Sequence, residues 1–122
     1  MKSFIKKYIV FLYILLIFAL SSFPGDGLIG NINQFGIDKV LHFFEYFTLG
    51  ILSSVYLRNK KKLFNILYIL VVFIPIIDEY CIQNISGRTV DAWDFWANFT
   101  GLYVGILIYF LLGKYFDQKN HN

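Results

Sequence analysis

Asp38, His42 and Glu45 follow one another at offsets of four and three, the spacing that lines up side chains along one face of an α-helix. An imidazole one turn from a carboxylate is a candidate general base, oriented by that neighbour. A second stripe, Asp91, Asp94, Asn98, Gly101 and Gly105, advances by three, four, three and four. It passes from carboxylates through an amide to glycines. Asp78 and Glu79 stand side by side, Gln83 lies one turn beyond Glu79, and Arg88 follows. Carboxylates gathered in this way are candidates for acid or base work, because burial and mutual repulsion raise their pKa values. Arg88 carries a planar fork suited to phosphate or carboxylate, and Lys39 adds a point charge.

The elements that must position these groups follow from composition. Of 122 residues, 57% are hydrophobic, 20% aromatic and only 16% charged, with a net charge of +3. A soluble domain is nearer about 45–50% apolar and about 25% charged. A water-soluble fold of this length buries only roughly two thirds of its surface, so 14 Phe and 9 Tyr would leave large apolar patches. An ordinary soluble enzyme and a disordered tail are excluded, and Cys81, the single cysteine, excludes a disulfide-stapled domain. A lipid bilayer is the expected surrounding.

Four apolar stretches are expected to cross it. Eighteen residues separate Lys7 from Asp26, eighteen separate Lys39 from Arg58, and nineteen run from Phe95 to Gly113. About 20 residues span the roughly 30 Å of hydrocarbon. The remaining stretch, Leu63 to Ile77, has 15, so its helix spans only by running on through Asp78, Glu79 and Gln83. A re-entrant hairpin is the rival for so short a run, and Pro75 is an expected kink. A basic start followed by an apolar stretch to Ala19 also has the form of a secretory signal, which three later spans make unnecessary. Lys2, Lys6 and Lys7, then Arg58, Lys60, Lys61 and Lys62, then Lys114 and Lys119 flank the spans on one side, and such a bias marks the cytoplasm. The expectation is an all-α, polytopic transmembrane bundle of four helices with both termini cytoplasmic. It forms one domain over residues 1–122, with helices at approximately 4–23, 38–57, 63–83 and 93–113. The lysines are topology signals and call for no nucleic-acid partner.

In this arrangement seven of the eight acidic residues fall in the outer half; Asp117 alone lies on the cytoplasmic side. Charged groups inside a bilayer face the bundle interior or a cleft, so three helices direct their polar stripes toward one another. Four readings compete. A packing network would fix helix register. An anion site would use Lys39 and Arg88 for a lipid-linked or envelope phosphate. A hard divalent cation could reconcile such an anion with the excess carboxylates, although no spacing is diagnostic of a metal set and no cofactor is identified. An enzyme would draw on His42, Asp38, Glu79 and Asp94 as candidate catalytic groups, with Glu45, Tyr46, Asp78, Gln83, Arg88, Asn98 and Lys39 as candidate ligand contacts. A small transporter would need polar groups in the inner half, which is apolar. Gly101 and Gly105 are expected to let a partner helix approach closely, within one bundle or between subunits.

These motifs, in this order, resemble the VanZ-like family of small bacterial membrane proteins, named after an accessory teicoplanin-resistance protein. The resemblance runs from about Ser21 to Gly105. It rests on Ser21-Ser22-Phe23-Pro24-Gly25, Asp38-Lys39-x-x-His42-Phe43-x-x-Tyr46-x-x-Leu49-Gly50, Asp78-Glu79-x-x-x-Gln83-x-x-x-Gly87-Arg88 and Asp94-x-x-x-Asn98-x-x-Gly101-x-x-x-Gly105. It departs at Asn84-Ile85-Ser86, where members often carry proline, and at Asp91, where many carry a small hydroxyl residue. What it implies is a multi-pass protein of the bacterial inner membrane with an envelope role at the outer leaflet. A lipid-linked or cell-wall precursor is the implied partner, with a link to glycopeptide susceptibility. It carries over Asp38, Lys39, His42, Tyr46, Asp78, Glu79, Gln83, Arg88, Asp94 and Asn98, and settles no reaction.

Overall fold

A computed structural model describes residues 3–23, 36–57, 64–87 and 90–119, with side chains described for 5–23, 36–57, 68–87 and 90–113. Every element in it is helical: α1 (Ser3–Ser21), α2 (Ile37–Leu57), α3 (Phe64–Ile77), a π-helical turn (Asp78–Ile82), α4 (Gln83–Ile85) and α5 (Ala92–Lys119). The lysine-bearing stretch from Arg58 to Lys62, Pro24, Gly25, Asp26 and Arg88 lie outside the described residues, as do the side chains of Lys114, Asp117 and Lys119.

α3, the π-turn and α4 form one continuous rod, so the short third stretch does run on through Asp78, Glu79 and Gln83. Three described stretches are long and apolar enough to cross a membrane: Ile37–Leu57, Tyr68–Ile85 and Ala92–Gly113. α1 adds 19 helical residues, about 28 Å of rise.

The burial pattern is that of a protein dissolved in hydrocarbon. Phe11, Leu12, Leu16, Phe44, Leu70, Phe73, Tyr103 and Leu111 are all exposed, while among the described residues the buried hydrophobic side chains are Val10, Ile17, Tyr46, Leu49, Leu57, Val71 and Leu102. Lipid tails are as apolar as leucine, so helices gain little by hiding such side chains from them. Close backbone packing and polar contacts must hold the bundle instead.

Glycine provides the first of these between α2 and α5. A Cβ added to Gly101 would run into the Phe43 carbonyl oxygen, one on Gly105 into that of Phe47, and one on Gly50 into that of Leu102. The partners advance together, from Phe43 with Gly101 to Phe47 with Gly105, so the two helices run parallel. Both therefore present their N-terminal ends on the same side. Side-chain hydrogen bonds tie the two remaining helices to α2: Tyr13 Oη donates to the Glu45 carbonyl at 3.0 Å, and Tyr68 Oη to Ser54 Oγ at 2.8 Å. Ser86 Oγ donates to the Ser21 carbonyl at 3.2 Å, which places the C-terminal ends of α1 and α4 together.

Candidate functional site

Each polar stripe is positioned by a local feature of its helix. The N-terminus of α5 is fixed by Asp91, the residue just before it. Its Oδ1 accepts the Trp93 amide at 2.9 Å, and its carbonyl accepts the amides of Asp94 and Phe95. A capping carboxylate there satisfies amides that have no partner within the helix. In the third rod the Gln83 amide donates to the Asp78 carbonyl, five residues back. In a regular α-helix Asp78 and Gln83 would sit about 140° apart; the wider π-turn, a form common at functional sites, brings them onto one face. Asp78, Glu79 and Gln83 are all fully buried, whereas Tyr80 is exposed.

Hydrogen bonds then close a ring among three elements. Tyr46 Oη of α2 donates to Asp78 Oδ2 at 2.8 Å. Glu79 accepts Gln83 Nε2 at 2.6 Å on one oxygen and the Asp91 backbone amide at 2.8 Å on the other. Lys39 Nζ returns from α2 to Asp91 Oδ2 and Asp94 Oδ1, each at 2.8 Å. The Lys39 ammonium beside Asp91 holds that carboxyl below the ordinary carboxylate range, assisted by the Trp93 amide.

The stripe of α2 meets the stripe of α5 within this ring. One nitrogen of His42 and one carboxylate oxygen each of Asp38 and Asp94 lie within 4.8 Å of one another. His42 Nε2 stands 3.7 Å from Asp38 Oδ1, too far for a hydrogen bond. His42 and Asp94 are buried, and Asn98 has no exposed surface. The contacts of Lys39 with Asp94 above and Phe43 with Gly101 below place Asn98 on the α2-facing side of α5, level with His42. Among the described residues, His42 Nδ1, Gln83 Oε1 and both amide atoms of Asn98 are buried without a hydrogen-bond partner.

Of the candidate residues, Asp38, Lys39, His42, Tyr46, Asp78, Glu79, Gln83, Asp94 and Asn98 thus gather at one end of the bundle. Glu45 is half-buried, and its carbonyl is engaged by Tyr13 of α1. Gly101 and Gly105 lie below the site and set the α2–α5 approach. Arg88 lies outside the described residues. Asp91, legible only as part of the α5 stripe, and Gly50, legible only as part of the resemblance motif, carry no site or packing role on sequence grounds. An aspartate immediately before a helical pattern is a legible cap signal, which the resemblance obscures by making Asp91 look like a local departure. No metal set is legible from spacing, because Asp94 comes from a different helix than Asp38 and His42.

Comparison with known proteins adds one finding. Neither the curated proteins nor the solved structures yield a match. The family model described as VanZ/LLP1 matches residues 4–113, which takes in all or most of each described helix and every residue of the polar ring. On that match the chain, a membrane-type protein with its polar groups gathered at one end, belongs to the VanZ/LLP1 family.

Proposed function

We propose that the chain is a four-span protein of the bacterial cytoplasmic membrane, with both termini cytoplasmic and its polar end at the outer face. There it binds, and has the groups to act on, the headgroup of a lipid-linked, phosphate-bearing envelope ligand. The observation that carries this reading is Asn98, fully buried with neither amide atom partnered among the described residues. A buried polar group left without a partner costs about 1–3 kcal/mol. His42 Nδ1 and Gln83 Oε1 share that condition. Three such groups at one end are better explained by a ligand they wait for than by packing. His42 is the candidate general base there, with Asp38, Glu79 and Asp94 as the acids around it. Holding a cell-wall precursor at this face is the route to a change in glycopeptide susceptibility.

Orientation has its own support and test. Trp93 and Trp96, both exposed at the start of α5, suit a membrane interface, and every lysine except Lys39 falls at the opposite ends of the apolar stretches in the sequence. In a background where Cys81 is replaced by serine, Asn84→Cys should react with an impermeant thiol reagent on intact cells. Lys61→Cys should react only after permeabilisation. Labelling of both from one side breaks the four-span topology.

For the ligand, the test is Asn98→Leu in phosphatidylcholine nanodiscs, with a polyprenyl monophosphate compared against the uncharged polyprenol of equal length. Replacing an unpartnered amide by an apolar group of similar shape is neutral or stabilising, so the variant should keep its melting temperature. It should lose roughly tenfold or more in phosphate-lipid affinity, the scale of about 1.4 kcal/mol. A second reading, a network that only holds the helices together, is favoured by the closed ring through Tyr46, Asp78, Glu79, Asp91 and Lys39. Under it, wild type would not distinguish phosphate from alcohol, and Asn98→Leu would change nothing.

A further inference from the structure

A phosphate headgroup needs positive charge, and the ammonium of Lys39 is already matched by two carboxylates. Lys39 pairs with both Asp91 and Asp94, so Asp38, Asp91 and Asp94 together with Lys39 carry a formal charge of −2 beside His42. A divalent ion would balance that charge.

We propose that Asp38, His42 and Asp94 form a binding site for one divalent transition-metal ion. Three independent features support it. The first is convergence: one donor atom from each residue lies within 4.8 Å of the other two, although they come from two helices. Metal–nitrogen and metal–oxygen bonds of about 2.0–2.2 Å separate neighbouring ligand atoms by about 3.0–3.5 Å, so closure on an ion asks for only a small inward movement. The 3.7 Å between His42 Nε2 and Asp38 Oδ1 is already near such an edge, and is longer than a hydrogen bond would hold it.

The second feature is the pair of buried, unpartnered groups beside the cluster. His42 Nδ1 has no partner among the described residues, and Asn98 presents an amide with both atoms unpartnered from the next turn below Asp94, on the same α2-facing side. Its oxygen would serve as a further ligand, or its amide group as a donor to a water or phosphate oxygen on the ion.

The third is the surrounding support. Ligating carboxylates are ordinarily held by hydrogen bonds from an outer ring of groups. Asp94 Oδ1 accepts Lys39 Nζ, which leaves its other oxygen for an ion. Lys39 is held in turn by Asp91, whose amide is fixed by Glu79. One imidazole and two carboxylates suit manganese or zinc better than calcium, which prefers an all-oxygen set. The ion's use toward a phosphate rests on the headgroup reading above; its binding does not. In that use His42 is a ligand to the ion, and the general-base role is left to a carboxylate or an ion-bound water.

The test uses Mn²⁺ alone, titrated into chelator-washed full-length protein in detergent and followed by the paramagnetic resonance of the free ion. Saturation at one Mn²⁺ per chain, displaced by Zn²⁺, is expected. Asp38→Asn, a shape-preserving change at a half-buried position, should weaken binding by more than roughly tenfold, and His42→Ala should do the same. Both should leave the metal-free melting temperature within a few degrees of wild type. Should His42→Ala fail to fold, Asp38→Asn decides the matter. No saturable Mn²⁺ or Zn²⁺ binding, or binding indifferent to Asp38→Asn, overturns the site. A protein that binds Mn²⁺ normally but does not distinguish phosphate lipid from alcohol keeps the metal site and loses the headgroup reading; the reverse pattern loses the metal site alone.

Discussion

Gly101→Ala is expected to lower the stability of the bundle by about 1–3 kcal/mol, the usual cost of overpacking, and Gly101→Leu to prevent its assembly. The reason lies in what the added Cβ meets. At Gly101 it lands on the Phe43 carbonyl oxygen, with the Phe43 carbonyl carbon at 2.9 Å and its Cα at 3.1 Å. These are backbone atoms, and no rotamer change moves them aside. The α2–α5 pair must separate along its length, which also draws Lys39 and His42 away from Asp94. Gly113 is the internal control, since nothing lies within 4 Å of its added Cβ. There alanine removes only unfolded-state freedom and should be neutral or stabilising by up to about 1 kcal/mol. Melting of both variants in one detergent measures the contrast. Equal melting temperatures for Gly101→Ala and Gly113→Ala would mean that the two helices are not in backbone contact.

How much of this was visible in the sequence depends on where each contact comes from. The α2 and α5 stripes could be read in advance because His42 follows Asp38, and Gly105 follows Gly101, at ordinary helical spacing. Gly50 belongs to the same seam, yet it closes a resemblance motif without a second glycine at helical spacing to mark it as a packing position. Its partners are Leu102, Gly105 and Ile106, and only the parallel pairing of α2 with α5 brings them together. The third rod defeats a regular pattern for a different reason. Spacing by 3.6 residues pairs Glu79 with Gln83 but turns Asp78 away; the bond from the Gln83 amide to the Asp78 carbonyl restores it. Asp91 reads as a continuation of the α5 stripe, whereas its position before the helix makes it a junction for Lys39, Glu79 and the Trp93 amide. Contacts within one helix are periodic and therefore legible. The ring from Tyr46 to Asp78, Glu79 to Asp91 and Lys39 to Asp94 crosses between helices, and no period reports it.

That ring makes Glu79 the second site where a large effect is expected. Its carboxylate is fully buried and accepts the Gln83 side chain on one oxygen and the Asp91 backbone amide on the other. Glu79→Ala leaves the buried Gln83 amide and the half-buried Asp91 amide without that acceptor. At about 1–3 kcal/mol for a buried unsatisfied group, and less for one that water reaches, the loss should be about 2–4 kcal/mol, a large fraction of the stability of a small protein. The Asp91 junction would loosen with it, so Lys39 and Asp94 lose their fixed positions and any ligand at the polar end binds more weakly. Glu79→Gln separates the loss of hydrogen bonds from the loss of charge. Its amide oxygen can keep the Asp91 amide, while its new NH₂ group faces Gln83. Gln83 Oε1 is unpartnered among the described residues, so a half-turn of the Gln83 amide presents an acceptor and rebuilds the contact. Glu79→Gln should therefore recover at least half of the melting-temperature loss caused by Glu79→Ala. Equal losses in the two variants would show that the charge of Glu79, and not its pair of acceptor oxygens, holds the ring together.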